Sequence, residues 1–304
     1  MQRYISAVKT IATNLQFQEL YNQLVQNYRT SFDTVAQSTV SNSSQFFPWQ
    51  RYFLLEYEDL LRLVDTEITI PYWDWTLLPS TPYDSTVFDS QTGFGNSADS
   101  NTTCVNSGPF REGEFEVTPS AGGGCLRRLY NNRTYPSRQL IEQDILSQPA
   151  SNFEEFHSSL QLFIHLNLRC FVGGHMCSMD AANDPLYPLH LTRVDLTLNR
   201  WQSSSPDRAA VRYMNENIPL ALSLDDNLLV SDFSSNTDLP YGTCVIYAQL
   251  LEPVQSTVSL SRNIQQSDQF SLQTRMDCLS EVQMEQLHMP DKDRAFMRRK
   301  CARG

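Results

Sequence analysis

The stretch from Phe46 to Thr76, FFPWQRYFLLEYEDLLRLVDTEITIPYWDWT, limits the fold more than any other part of this 304-residue chain. From Trp49 to Val64, the residues Phe53, Leu54, Tyr57, Leu60, Leu61 and Val64 recur at helical spacing and form a broad apolar stripe. A helix with so wide an apolar face must be buried along most of its length. Glu67 to Trp75 follows, with β-branched Ile68, Thr69 and Ile70 leading into Pro71-Tyr72-Trp73-Asp74-Trp75. That run predicts extended chain, and its three rings predict packed core.

Further helices are predicted on both sides. Met1 to Arg29 reads as two helical stretches, with Tyr4, Ile5, Val8 and Ile11 on one face and Leu20, Tyr21 and Leu24 on another. Thr30 to Gln45 is rich in Ser and Thr and reads as irregular. Asn152 to Cys170 is helical, burying Phe153, Phe156, Leu160, Phe163, Ile164 and Leu168. Another helix, Pro185 to Trp201, follows a turn at Asn183-Asp184-Pro185. Beyond Trp201 the pattern changes to short alternating runs. Leu228 to Phe233, Cys244 to Tyr247 and Thr257 to Leu260 predict strands. The tail from Ser271 to Gly304 reads as a polar, helix-like segment ending in Arg298-Arg299-Lys300, a solvated basic end.

Charge and composition exclude several function classes. A net charge of −11 argues against nucleic acid or an anionic membrane surface as partner. No apolar run is long enough to span a bilayer. The chain opens with Met1-Gln2-Arg3-Tyr4 and not with a signal peptide, so it is expected to be a mature piece or a segment of a longer chain. Seven cysteines, Cys104, Cys125, Cys170, Cys177, Cys244, Cys278 and Cys301, match no C-x2-C zinc site, and their odd count leaves one without an internal partner. Asn42, Asn101 and Asn132 head N-glycosylation sequons. Cysteines and sequons together predict a secreted or extracellular compartment.

The Phe46–Thr76 stretch resembles the first copper-binding helix of the tyrosinase and haemocyanin (type-3 copper) family. That pattern reads roughly F-x-P-W-H-R-x-F-L-L-x-x-E and is followed by an extended P-Y-W-D-W segment. Pro48, Trp49, Arg51, Phe53, Leu54, Leu55 and Glu58 match it here. A second resemblance runs from His165-Leu166-Asn167-Leu168-Arg169 through Val172-Gly173-Gly174-His175-Met176 to Asn183-Asp184-Pro185 and His190-Leu191-Thr192-Arg193-Val194-Asp195. Cys104-Val105-Asn106-Ser107-Gly108-Pro109-Phe110 and Cys125-Leu126-Arg127-Arg128 resemble a stretch of the family's animal members. The resemblance implies a mainly α fold, a four-helix-bundle core with long loops, closed by a small β-rich segment. It divides the chain into a tyrosinase-like domain, residues 1–252, and an extension, residues 253–304.

The resemblance also implies a pair of coppers about 3.5–4 Å apart, each held by three neutral imidazoles. Most of the matching places hold other residues. Gln50 stands where a first-site histidine is expected, and Ser41 stands where another is usual. In the second site His165 matches a ligand, Arg169 replaces its i+4 partner, His190 matches the supporting member of a His-His pair, and Leu191 replaces the ligand member. No histidine precedes His157. On these grounds the chain is expected to be a non-catalytic, tyrosinase-like component of a secreted assembly, partnered by other subunits or domains and holding no copper. The alternative is a copper-dependent phenol or catechol oxidase with a rearranged site. His157, His165, His175 and His190 are the candidates for any single ion. Arg169 is expected to fill the copper space and find carbonyl or carboxylate partners. Two local disulfides are expected, Cys104–Cys125 across the polar Leu77–Arg138 connection and Cys170–Cys177 around Gly173-Gly174.

Overall fold

The computed structural model describes residues 1–32, 43–96, 104–129, 133–209, 216–221, 223, 227–247, 278–287 and 289–303. The sequons at Asn42, Asn101 and Asn132, the residue Ser41 and the predicted strand Thr257 to Leu260 lie outside them. Two helices in contact with each other open the chain, α1 (Gln2–Thr13) and α2 (Leu15–Ser31). Asn14 separates them and caps α2, its side chain accepting the N–H of Gln16 at 2.9 Å. Tyr4, Ile5, Val8 and Ile11 are buried as their spacing predicts. On α2 the inward stripe is Tyr21, Leu24, Val25 and Tyr28, whereas Leu20, assigned to it from the sequence, is 46% exposed.

Helix α3 (Ser43–Arg62) carries the apolar stripe and begins at Ser43, ahead of the predicted start at Trp49. Its aromatic residues meet α2 and a later helix: Tyr28 has ring centroids 5.9 Å from Trp49, 5.4 Å from Phe53 and 5.1 Å from Tyr187. The P-Y-W-D-W run is extended, and Trp73 donates its N–H to the Leu189 carbonyl at 3.1 Å. Then come three contiguous pieces, Phe153–Ser158, a π-helical Ser159–Leu166 and Asn167–Val172, together called α4. Helix α5 (Tyr187–Ser203) completes the bundle of α2, α3, α4 and α5. The architecture is mainly helical, as the sequence implies.

Among the described residues the closing β-rich segment is not seen. Leu228 to Phe233 ends in a 3₁₀ turn, Val230–Phe233, and Cys244 to Tyr247 is irregular. Among the described residues only isolated bridges occur, such as Pro219 with Leu229 and Leu239 with Thr243. Alternation alone does not make a strand when no neighbour supplies a ladder. Side chains hold this segment instead. Buried Arg51 donates to Asp195 at 2.7 Å, to the Phe233 carbonyl at 2.8 Å and to Gln202 at 2.9 Å. Asn236 and the Tyr247 hydroxyl also donate to Asp195, at 2.9 and 2.5 Å.

Three disulfides are present: Cys104–Cys125, Cys170–Cys177 and Cys278–Cys301. The unpaired thiol is the exposed Cys244, the cysteine that the odd count leaves over once the tail closes through Cys278–Cys301. The tail forms α6 (Glu281–Gln286) and α7 (Asp291–Arg303) and packs Met284, Leu287, Met289, Phe296 and Met297 into the main core. Its basic end is engaged and not merely solvated, since Arg298 pairs with Glu281 at 2.6 Å and Lys300 with Glu155 at 2.7 Å.

Candidate functional site

Two of the four candidate histidines, His165 and His190, meet at the centre of the bundle, and a third, His157, shares the Phe46 ring with His165. Helix α4 carries His157 and His165, and α3 sets the Phe46 ring against both, at 5.6 and 5.5 Å. His165 lies within the π-helical stretch Ser159–Leu166, a distortion that often accompanies function. From α5, His190 stacks on His165 with ring centroids 5.0 Å apart and planes 20° apart. His165 Nδ1 and His190 Nε2 lie 3.0 Å from each other. His157 is enclosed by Phe46, Phe47 and Phe153. His175 is not part of this group, because its Nδ1 accepts the Arg127 N–H at 3.0 Å away from the bundle centre.

Burial keeps His165 and His190 neutral. Desolvation pushes His165 well below the usual histidine value, helped by His190 and by the Arg169 charge. Desolvation and Arg169 together bring His190 down to about 3. Neutral imidazole is the form that binds a transition metal.

Arg169 sits one helical turn from His165 and is 1% exposed. Its Nε donates to the Met176 carbonyl at 2.8 Å and its Nη2 to the Ser178 carbonyl at 2.7 Å. Its Nη1 lies 3.4 Å from His165 Nε2, and the guanidinium faces the Phe32 and Tyr187 rings, each at 5.4 Å. Carbonyls, an imidazole and two ring faces therefore surround a buried charge that has no carboxylate against it among the described residues. Leu191 is wholly buried and offers no donor atom. Gln50, on α3, is 4% exposed, and its amide Nε2 has no hydrogen-bond partner among the described residues.

Sequence reasoning did not anticipate what covers His165. A cavity of about 20 Å³, room for about one water, lies beside it, between Gln161 and Leu162 of α4 and Leu287, Met289, Pro290 and Asp293 of the tail. Nothing in the spacing of those residues links them to a histidine more than a hundred positions earlier.

With this geometry in place, the chain can be compared with known proteins. The family model described as the common central domain of tyrosinase matches residues 13–204. The chain belongs to the tyrosinase family. A tyrosinase of Streptomyces lincolnensis is 30% identical over 66% of this chain and 77% of its own length. A tyrosinase of Aspergillus flavus is 29% identical over 65% of this chain and 60% of its own length. A polyphenol oxidase variant of Thermothelomyces thermophila shares the fold, with a TM-score of 0.57, 16% identity, and coverage of 76% of this chain and 78% of that one. The family assignment corrects two expectations drawn from the substituted ligand places, that the chain is not an enzyme and that it takes no cofactor. Relatives named tyrosinases and a fold neighbour named a polyphenol oxidase place it in a catalytic family whose members bind copper. These relatives are bacterial and fungal, and the likeness to animal members stays an expectation.

The residues present do not fit a copper pair held by six imidazoles, for the whole chain has five histidines. What the bundle centre does bring together is two buried imidazole nitrogens, His165 Nδ1 and His190 Nε2, at 3.0 Å, a hydrogen-bond separation.

Proposed function

We propose that the chain is a copper-dependent oxidase of phenols or catechols with a rearranged, single-ion site on His165 and His190. Family membership supports the reaction class. The observation that carries the location is the nitrogen–nitrogen contact between those two buried, neutral imidazoles. Bound copper would supply the redox centre that accepts electrons from the phenol and passes them to oxygen. The protein's own groups set the surroundings. Phe46 packs the edge of His165, Trp75 lies 6.4 Å from His190, and Leu162, Leu166, Leu287 and Met289 keep bulk water from the pair. Arg169 holds the His165 ring in orientation through Nε2. A metal held by both nitrogens would take the place of the hydrogen now between the two neutral rings, which would move to another ring nitrogen.

The test is copper content and oxygen uptake on the same preparation. After loading with Cu(II) and dialysis, about one copper per chain and catechol-dependent oxygen consumption are expected, both lost in His190→Ala. Copper below a tenth per chain would overturn the reading.

The compartment, partners and boundaries belong to the same proposal. Three disulfides favour an extracellular setting. No helix among the described residues is long and apolar enough to cross a membrane. The exposed Cys244 thiol suits contact with other subunits or domains. Residues 253–304 are read as an extension of a 1–252 domain, and glycans at Asn42, Asn101 and Asn132 fit an extracellular protein.

A further inference from the structure

The Cys104–Cys125 disulfide differs from the other two in what stands beside it. A carboxylate oxygen of Glu112 and the two sulfurs all lie within 4.8 Å of one another. Among the described residues, neither Cys170–Cys177 nor Cys278–Cys301 has a third metal-ligating side chain at that range. The trio is also reachable from solvent, since Glu112 is exposed and both cysteines are partly exposed. Glu114, two residues further on, is taken up by Lys9 and Arg111, whereas Glu112 reaches the sulfurs.

The backbone holds these residues together alongside the S–S bond. Val105, next to Cys104, donates its N–H to the Leu126 carbonyl at 2.8 Å and accepts that of Glu112 at 2.8 Å. Antiparallel bridges pair Cys104 with Arg127 and Glu116 with Cys125, and Val117 donates to the Gly124 carbonyl at 3.0 Å. Val105 and Leu126 are wholly buried and pin both segments to the core. Arg127 exchanges two hydrogen bonds of 3.0 Å with His175, one to its backbone and one to its ring, and Arg128 is paired with Asp184. The two cysteine Cα atoms are 5.6 Å apart. From that separation, side-chain rotation can set the freed sulfurs roughly 3.8 Å apart, the spacing of two thiolates about 2.3 Å from a tetrahedral ion.

Donor chemistry selects the metal. Two thiolates and one carboxylate suit zinc, which takes sulfur and oxygen ligands in a tetrahedron and accepts water in a fourth place. Calcium and magnesium call for oxygen shells and gain little from sulfur. We propose that Cys104, Cys125 and Glu112 form a convertible cross-link, a disulfide under oxidising conditions and a zinc site once a dithiol reductant has opened it. In the first step the reductant supplies two electrons and two protons, the S–S bond breaks to two thiols, and the reductant closes to its own disulfide. In the second, zinc displaces the two thiol protons and forms two Zn–S bonds. The long polar connection thus stays closed in either redox state. The site is separate from the imidazole pair and does not depend on copper.

The experiment reduces the whole chain with dithiothreitol, removes the reductant without air, and adds zinc chloride. Iodoacetamide labelling with peptide mapping then reads each cysteine. Zinc is expected to slow labelling of Cys104 and Cys125 at least tenfold and to leave Cys244, Cys278 and Cys301 unchanged. An ion bound to the native state alone stabilises it, so zinc should raise the melting temperature of the reduced chain by more than that of the unreduced one. A chain that unfolds on reduction should regain a melting transition with zinc. Glu112→Gln, at an exposed position, should weaken zinc binding at least fivefold, and Cys104→Ser should abolish the protection of Cys125. Labelling indifferent to zinc would overturn the proposal, as would protection at Cys278 and Cys301 instead, or Glu112→Gln binding zinc as tightly as wild type.

Discussion

His165 Nδ1 and His190 Nε2 approach to 3.0 Å across the interface of α4 and α5, with their rings nearly parallel. Arg169 touches the far nitrogen of the same His165 ring. The His165 ring is therefore engaged at both nitrogens, by His190 on one side and by a permanent cation on the other.

Arg169→Gln should tighten copper binding at least tenfold, equal to about 1.4 kcal/mol. The substitution removes a buried positive charge from beside the pair and keeps a side chain able to donate to the Met176 or Ser178 carbonyl. Competition against a copper chelator of known affinity measures it. Equal affinity in the two proteins would show that the guanidinium exerts no repulsion on the site.

Arg128 and Asp184 form a two-pronged ion pair, 2.8 and 2.7 Å, with neither side chain exposed. Arg128 also donates to the Gly95 carbonyl at 2.9 Å, tying the long polar connection to the turn before α5. Arg128→Met strands a buried carboxylate and should cost about 3–5 kcal/mol in urea unfolding. Adding Asp184→Leu should restore more than half of that loss. A single variant within 1 kcal/mol of wild type, on the order of an exposed pair, would contradict the account.

Iodoacetamide should label one thiol in the native, unreduced protein, and peptide mapping should place it at Cys244. The other six cysteines are consumed by Cys104–Cys125, Cys170–Cys177 and Cys278–Cys301. Labelling at Cys278 or Cys301 would show that the tail is not closed as described.

Stability should fall as pH drops below about 6.5, in part through His175. Desolvation lowers its proton affinity in the fold, outweighing Asp184 and Asp180, which raise it, while Arg127 lowers it further. Its neutral Nδ1 accepts the Arg127 N–H. The unfolded chain then takes up the proton first, so the contribution is complete above the unfolded value and declines on acidification toward the lower folded one. In His175→Gln the stability difference from wild type should shrink between pH 7.5 and 5. A constant difference would exclude His175 as the source.

Gly174 tests the packing around the second disulfide. Its φ of +57° is left-handed, and an added Cβ would lie 2.0 Å from the Arg127 carbonyl oxygen. Gly174→Ala should therefore destabilise by about 1–3 kcal/mol, read as a drop in melting temperature. An unchanged melting point would mean the Arg127 segment can move aside.

Periodicity in the sequence determined much about this protein. The stripe from Phe53 to Val64 and the spacing of Tyr4, Ile5, Val8 and Ile11 imposed buried helices, because side chains three and four apart share a face wherever the helix later packs. The short-range disulfides were legible for the same reason of nearness, as was the residue inventory that rules out six imidazoles. Only the tertiary structure decided that His165 meets His190, that Asp195 gathers Arg51, Asn236 and Tyr247, and that the tail covers His165 with Leu287 and Met289. Each of those contacts depends on how separate elements are placed and rotated against one another. The strands predicted at Leu228–Phe233 and Cys244–Tyr247 failed on that account, for a strand is completed by a neighbour that local alternation does not encode.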